Sequence, residues 1–163
     1  MTNGLSVSQD AFKMSLTVPD DLVGEPTEGD WAAWQGVTCV QVDEKSAVVL
    51  VSITATAFHP GRDASDALAA RLRAKYPEGG VRIEQFATPG GNPAVAVRRI
   101  ATQRVNGRDV TTGQAQALVA YPAAGALGVV SAIALDPDAL DLAAELVIEI
   151  AAGMTVTSAP AAA

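Results

Sequence analysis

The residue types that carry acid-base, nucleophilic or metal chemistry are thinly spread through these 163 residues. The single histidine, His59, follows an apolar run in Phe58-His59-Pro60-Gly61, so neither a two-histidine metal site nor a Cys-His pair near in sequence is available. Asp63 or Asp66 could orient it as a lone base, but no nucleophile accompanies it, and it reads as a loop histidine. The single cysteine, Cys39, has no internal disulfide partner, and Val37-Thr38-Cys39-Val40 reads as a strand in which the thiol is a small buried hydrophobe. Gly90-Gly91 sits between Pro89 and Pro93 with no Lys-Ser/Thr pair and no helix start behind it, which makes a turn rather than a phosphate loop. Asp138, Asp141, Glu145 and Glu149 have helical spacing, yet a convex row of acids does not converge on a hard cation. No catalytic residue, metal ligand or cofactor is therefore expected.

Two features rise above this background. Trp31 and Trp34 are the only tryptophans, three apart in an acidic stretch, where a helical turn would put them on one side. They either pin that stretch over a sheet or form a binding hot spot. Arg98 and Arg99 break strand alternation, so one must point the wrong way unless a bulge turns both to solvent. With Arg104 and Arg108 they make a candidate basic stripe, paired with the chain's own acids or docking an acidic partner or anionic ligand, because arginine forks grip carboxylate and phosphate bidentately.

Composition narrows the partners. The chain carries 18 acidic and 11 basic residues, a net charge of −7, which opposes general nucleic-acid binding. Asp20, Asp21, Glu25, Glu28 and Asp30 crowd one early segment, and no Lys or Arg follows Arg108. Hydrophobic residues are 49% and aromatics only 4%, so one core built from Val, Ile, Leu and Ala is expected. The first residues have neither a basic n-region nor an apolar run of signal or membrane-spanning type, so no membrane association and a cytoplasmic location are expected.

Periodicity then lays out the elements. Residues 1–11 are polar and expected to be flexible. Phe12, Met14, Leu16 and Val18 alternate with polar neighbours as a half-buried strand ended by Pro19. Asp20 to Gly36 reads as a long loop holding at most a helical turn at Trp31 to Trp34, capped by Asp30. Val37 to Val42 and Ala47 to Phe58 form a hairpin with Val49, Val51, Ile53 and Ala55 on one face. Leu68, Leu72 and Tyr76 recur at helical spacing until Pro77-Glu78-Gly79-Gly80, and this helix is expected on that apolar face. Strands follow at Val81 to Thr88, Ala94 to Val105, Val110 to Tyr121 and Leu127 to Leu135, the middle pair joined by Asn106-Gly107, a strong hairpin signal. Asp136 caps and Pro137 opens a last helix to Ala152, with Leu140, Ala143, Val147 and Ile150 as its apolar stripe. Gly153 is a natural C′ residue, Met154 to Val156 a short strand, and 157–163 a flexible tail.

This order resembles the PsbP-like fold, and within it the actinobacterial LpqN-type lipoproteins. The resemblance is carried by Leu16-Thr17-Val18-Pro19, Asp66-Ala67-Leu68, Val105-Asn106-Gly107-Arg108 and Gly153-Met154-Thr155-Val156, and spans about residues 12 to 156. It implies an α/β/α sandwich with a non-enzymatic binding or accessory role, though a leader and lipid-accepting cysteine near the start are missing. The expectation is one α+β domain over 12–156, an antiparallel meander with two main helices. It would recognise a protein partner through Trp31, Trp34, Arg98, Arg99, Arg104 and Arg108, with a homodimer as a further possibility. The alternative is a small-molecule pocket between the sheet and the 20–36 loop.

Overall fold

The computed structural model describes residues 2–9, 11–27, 32–58, 64–76 and 80–158. Their order is β1 (Thr2–Gln9), β2 (Phe12–Pro19), β3 (Val23–Pro26), β4 (Trp34–Val42), β5 (Lys45–Ala57), α1 (Ala64–Lys75), β6 (Val81–Ala87), β7 (Pro93–Val105), β8 (Arg108–Tyr121), β9 (Ala126–Ala134), α2 (Leu140–Ala152) and β10 (Thr155–Ser158). The described strands form a seven-stranded sheet, β3-β4-β5-β9-β8-β7-β6, and a three-stranded sheet, β1-β2-β10. Every pairing is antiparallel, so the class is α+β.

Local signals placed most strands. Asn106-Gly107 takes positive φ at both residues and joins β7 to β8, as a two-residue turn matched to strand twist requires. Asp43 and Glu44 do the same between β4 and β5 without a glycine. Asp136 Oδ1 accepts from the Asp138 N–H at 2.9 Å and starts a 3-10 turn, Pro137–Ala139, that feeds α2. Gly153 closes α2 at φ −95°, so its place does not require left-handed backbone.

Three expectations about element bounds change. Residues 2–9 are a full strand: β1 pairs with β2 from Thr2↔Pro19 to Gln9↔Phe12, and Gln9 Oε1 accepts the Ala55 N–H at 2.9 Å, tying the small sheet to the large one. The 20–36 segment contains β3, and Trp34 begins β4 rather than ending a helical turn. Of the expected tail, Thr157 and Ser158 belong to β10, and 159–163 lie outside the described residues.

The large sheet is covered on both sides, each by a different helix. Val49, Val51, Ile53 and Ala55 of β5 join Ala117, Val119, Val130 and Ala132 in a core closed by α2 and by Met14, Leu16, Val18 and Val156 of the small sheet. Helix α1 lies on the opposite face, where Leu68 and Leu72 pack on Val95, Val97, Leu118, Ala120 and Leu127. It was expected on the Val49 face. The apolar residues that hold it come from β7, β8 and β9, so they are separated from the helix by 20 residues or more.

Candidate functional site

Helix α1 contacts β6, β7 and β8 and leaves the other half of its sheet face bare. A 12-residue helix is only about 18 Å long and covers few strands. Register decides what shows there. Val23 pairs with Val37, Val37 with Leu50, and Leu50 with Ile133, so four apolar side chains form one row across β3, β4, β5 and β9. Their exposures are 69%, 42%, 44% and 39%. Cys39, two residues beyond Val37 in β4, is also exposed, contrary to its expected burial, because Thr38 and Val40 take the core side and, among the described residues, α1 does not extend over the Val37 face of β4.

The same row continues from Ile133 to Gln114 and on to Arg99. Arg99 Nε donates to Gln114 Oε1 at 3.1 Å, and its guanidinium lies 4.7 Å from the ring centroid of Tyr76, the residue after α1. One row along, Gln116 Nε2 donates to Ser131 Oγ at 3.0 Å. These groups line a cavity of about 140 Å³. From Gln116 a larger cleft of about 550 Å³ runs beside α1 over Leu72, Leu118, Leu127 and Val129, with Arg71 and Lys75 among its lining. The result is an apolar surface with basic groups along one edge, on a protein of net charge −7.

The expected site residues are divided by this geometry. β7 runs through Arg98 and Arg99 without a bulge, pairing them with Ala115 and Gln114, so the two arginines point to opposite faces. Arg98 reaches the α2 side, where its Nη1 donates to Asp141 Oδ1 at 2.9 Å. Arg104 lies near the hairpin end, its Nη2 donating to the Gly107 carbonyl at 3.4 Å, and Arg108 opposes Val105. Alternation puts Arg99 and Arg108 on one face and Arg98 and Arg104 on the other, so they form no single stripe. Trp34 is 1% exposed and is a core side chain. Its indole lies against Gly24 and Gly36, where a Cβ at either position would enter its space. Trp31, His59 and Asp63 lie outside the described residues.

Of the residues brought together here, Arg99 alone was singled out from sequence. Tyr76, Gln114, Gln116, Ser131 and the row from Val23 to Ile133 were not. Gln114 and Gln116 interrupt the otherwise apolar second half of β8, Gly113 to Tyr121, at two-residue spacing, and that was the available signal. Among the described residues, no group of three or more His, Cys, Asp or Glu is placed to hold a metal ion, and no helix is long and apolar enough to cross a membrane.

No family model and no curated protein matches the sequence. Among solved structures, the chain is similar to LpqN, described as involved in cell envelope biogenesis of Mycobacterium tuberculosis, with a TM-score of 0.55 and 18% sequence identity over 96% of this chain and 91% of that one. That likeness establishes an LpqN-like fold.

Proposed function

We propose that this protein is a non-catalytic binding module that recognises a protein partner through the bare half of its large sheet. The observation that carries this reading is the apolar row Val23, Val37, Leu50 and Ile133, exposed in register across four adjacent strands. Neighbouring strands lie about 4.8 Å apart, so the row presents a continuous apolar line about 14 Å long. Single exposed apolar residues are ordinary, whereas a contiguous set marks a contact surface. Arg99, Arg71 and Lys75 beside it favour a partner segment that combines apolar and acidic side chains. The involvement of LpqN in cell envelope biogenesis supports an accessory function of the same kind. The resemblance to PsbP-like proteins and a cytoplasmic workplace remain parts of this proposal, the latter open to cell fractionation.

Burying what remains exposed of Leu50 and Ile133 is worth about 1 kcal/mol each, so placing aspartate at both sites should weaken binding at least about tenfold. The test is affinity capture with wild type, followed by titration of the purified captured protein against wild type and a Leu50→Asp/Ile133→Asp variant of equal melting temperature. Undiminished binding by the variant overturns the reading. So does a wild-type dimer in sedimentation that the variant dissolves, since the occupant would then be a second copy.

A further inference from the structure

We propose that the Arg99 cavity is a carboxylate-recognition site, which takes an acidic group of the partner while that partner's apolar side chains lie along the Ile133 row. The proposal deepens the protein-binding reading and relies on it only for the source of the carboxylate.

Three observations converge. Arg99 is half-buried and held in place from two sides, by Gln114 Oε1 at 3.1 Å and by the Tyr76 ring at 4.7 Å, yet no carboxylate among the described residues pairs with it. Three other cations of the large sheet have acids, Arg98 with Asp141 at 2.9 Å, Arg82 with Glu84 at 2.7 Å and Lys45 with Asp136 at 2.6 Å, whereas Arg104 and Arg108 at the exposed hairpin end have none among the described residues. What sets Arg99 apart is that it is held from two sides, by an amide and by an aromatic ring, with no acid among the described residues taking its terminal nitrogens. A guanidinium fixed through Nε and stacked on an aromatic ring keeps its two terminal nitrogens in a planar fork, which is the geometry a carboxylate matches.

The rest of the lining has the same sign. Because Gln114 Oε1 accepts from Arg99, its amide nitrogen remains a donor. Gln116 uses one amide hydrogen on Ser131 and keeps another, and Ser131, an acceptor in that bond, keeps its own hydroxyl hydrogen. Arginine, two amide nitrogens and a hydroxyl therefore surround about 140 Å³ with no acidic side chain among the described lining residues. Val97 and Ile133 supply an apolar wall, so the fitting group is a carboxylate carried on a short hydrocarbon body. An aspartate or glutamate side chain and a chain end both meet this description.

The probes are N-acetyl-leucine, which mimics a chain end, N-acetyl-glutamate α-amide, which mimics an acidic side chain, hexanoate as a free acid, and N-acetyl-leucinamide as the uncharged control. Each is titrated into the full chain and followed by amide and side-chain NH₂ resonances. At least one of the two peptide-like acids should bind with a dissociation constant of about 1–10 mM, shift Gln114, Gln116 and Ser131, and bind about tenfold more tightly than the control. Arg99→Gln should abolish the shifts and Arg99→Lys retain part of them. Gln116→Met, which leaves the Arg99–Tyr76 stack intact, should weaken binding severalfold and keeps the test valid if Arg99 variants unfold.

Equal binding of acid and control, or no shift from either peptide-like acid at about 50 mM, overturns the proposal. Hexanoate binding with neither peptide-like acid bound reassigns the cavity to a free small acid, and inorganic phosphate displacing the acids at equal concentration reassigns it to a general anion site; both count against the carboxylate-of-a-partner claim. These titrations need no partner protein, so their failure leaves the capture experiment on Leu50 and Ile133 to be judged separately.

Discussion

Replacing Gly36 by alanine should destabilise the protein even though alanine ordinarily improves a strand. Glycine in a strand costs about 0.5–1 kcal/mol in conformational freedom relative to alanine, and the backbone at Gly36 lies outside the left-handed region, so the substitution carries no φ strain. The obstacle is the Trp34 ring: a Cβ on Gly36 would stand 2.7 Å from Trp34 Cζ3 and closer still to Cη2. Trp34 is 1% exposed and hemmed in by Gly24 on the paired strand, so it has no free direction in which to yield. Overpacking of this kind costs about 1–3 kcal/mol, and displacing the indole from the core would cost up to about 3–5 kcal/mol. Against the small gain from alanine, the expected net loss is about 2 kcal/mol, or about 4–8 °C of melting temperature for a chain of this size. Thermal unfolding by circular dichroism measures it, and the same substitution in a Trp34→Leu background isolates the cause. With the ring gone, Gly36→Ala should become neutral or stabilising. A neutral effect in the wild type, or an equal loss in both backgrounds, refutes the packing account.

Thr38 Oγ1 is buried without a hydrogen-bond partner among the described residues, so the near-isosteric Thr38→Val should raise the urea midpoint by the equivalent of about 1 kcal/mol, and a lower midpoint would show that the hydroxyl is satisfied. Tyr121 donates its hydroxyl to the Met154 carbonyl at 2.9 Å, and Tyr121→Phe should cost about 1–2 kcal/mol by leaving that carbonyl unpaired. Burial pushes the Tyr121 phenol well above its usual value of 10, so its share of stability is complete below pH 10 and is lost as pH rises beyond it; the Phe variant should show a flatter alkaline limb in a stability-pH series. Lys45 is held above its ordinary 10.5 by hydrogen bonds to Asp136 and Asp138, and Asp136 below its ordinary 3.8 by Lys45 and the Asp138 N–H. This contribution is present between those two values, fading as pH falls through the lowered Asp136 value and as pH rises through the raised Lys45 one. The group is exposed, so the effect should be small and should shrink in high salt, as melting temperatures at two ionic strengths would show.

What the sequence determined by itself was whatever depends on neighbours along the chain. Alternation marked β2 and the strands from β5 to β9, Asn106-Gly107 set a hairpin register, and Asp136-Pro137 announced the approach to α2, because turn geometry and capping are satisfied within a few residues. The α+β class and the antiparallel meander followed from these elements. Three-dimensional packing decided the rest. A polar, glycine-containing run, Thr2 to Gln9, became β1 because β2 offered it a partner edge, and the α1 face was set by Val95, Leu118 and Leu127 rather than by the β5 pattern nearest in sequence. Trp34 was legible as either a pin over the sheet or a hot spot, and tertiary structure decided for burial, since its place depends on two glycines on adjacent strands, Gly24 and Gly36. Arg98 and Arg99 were legible as a conflict with alternation; only tertiary structure showed that each face has a use for one of them, Asp141 of α2 on one side and Tyr76 with Gln114 on the other. The apolar row from Val23 to Ile133 joins residues up to 110 positions apart, and its exposure depends on where a short helix stops, which no local pattern encodes.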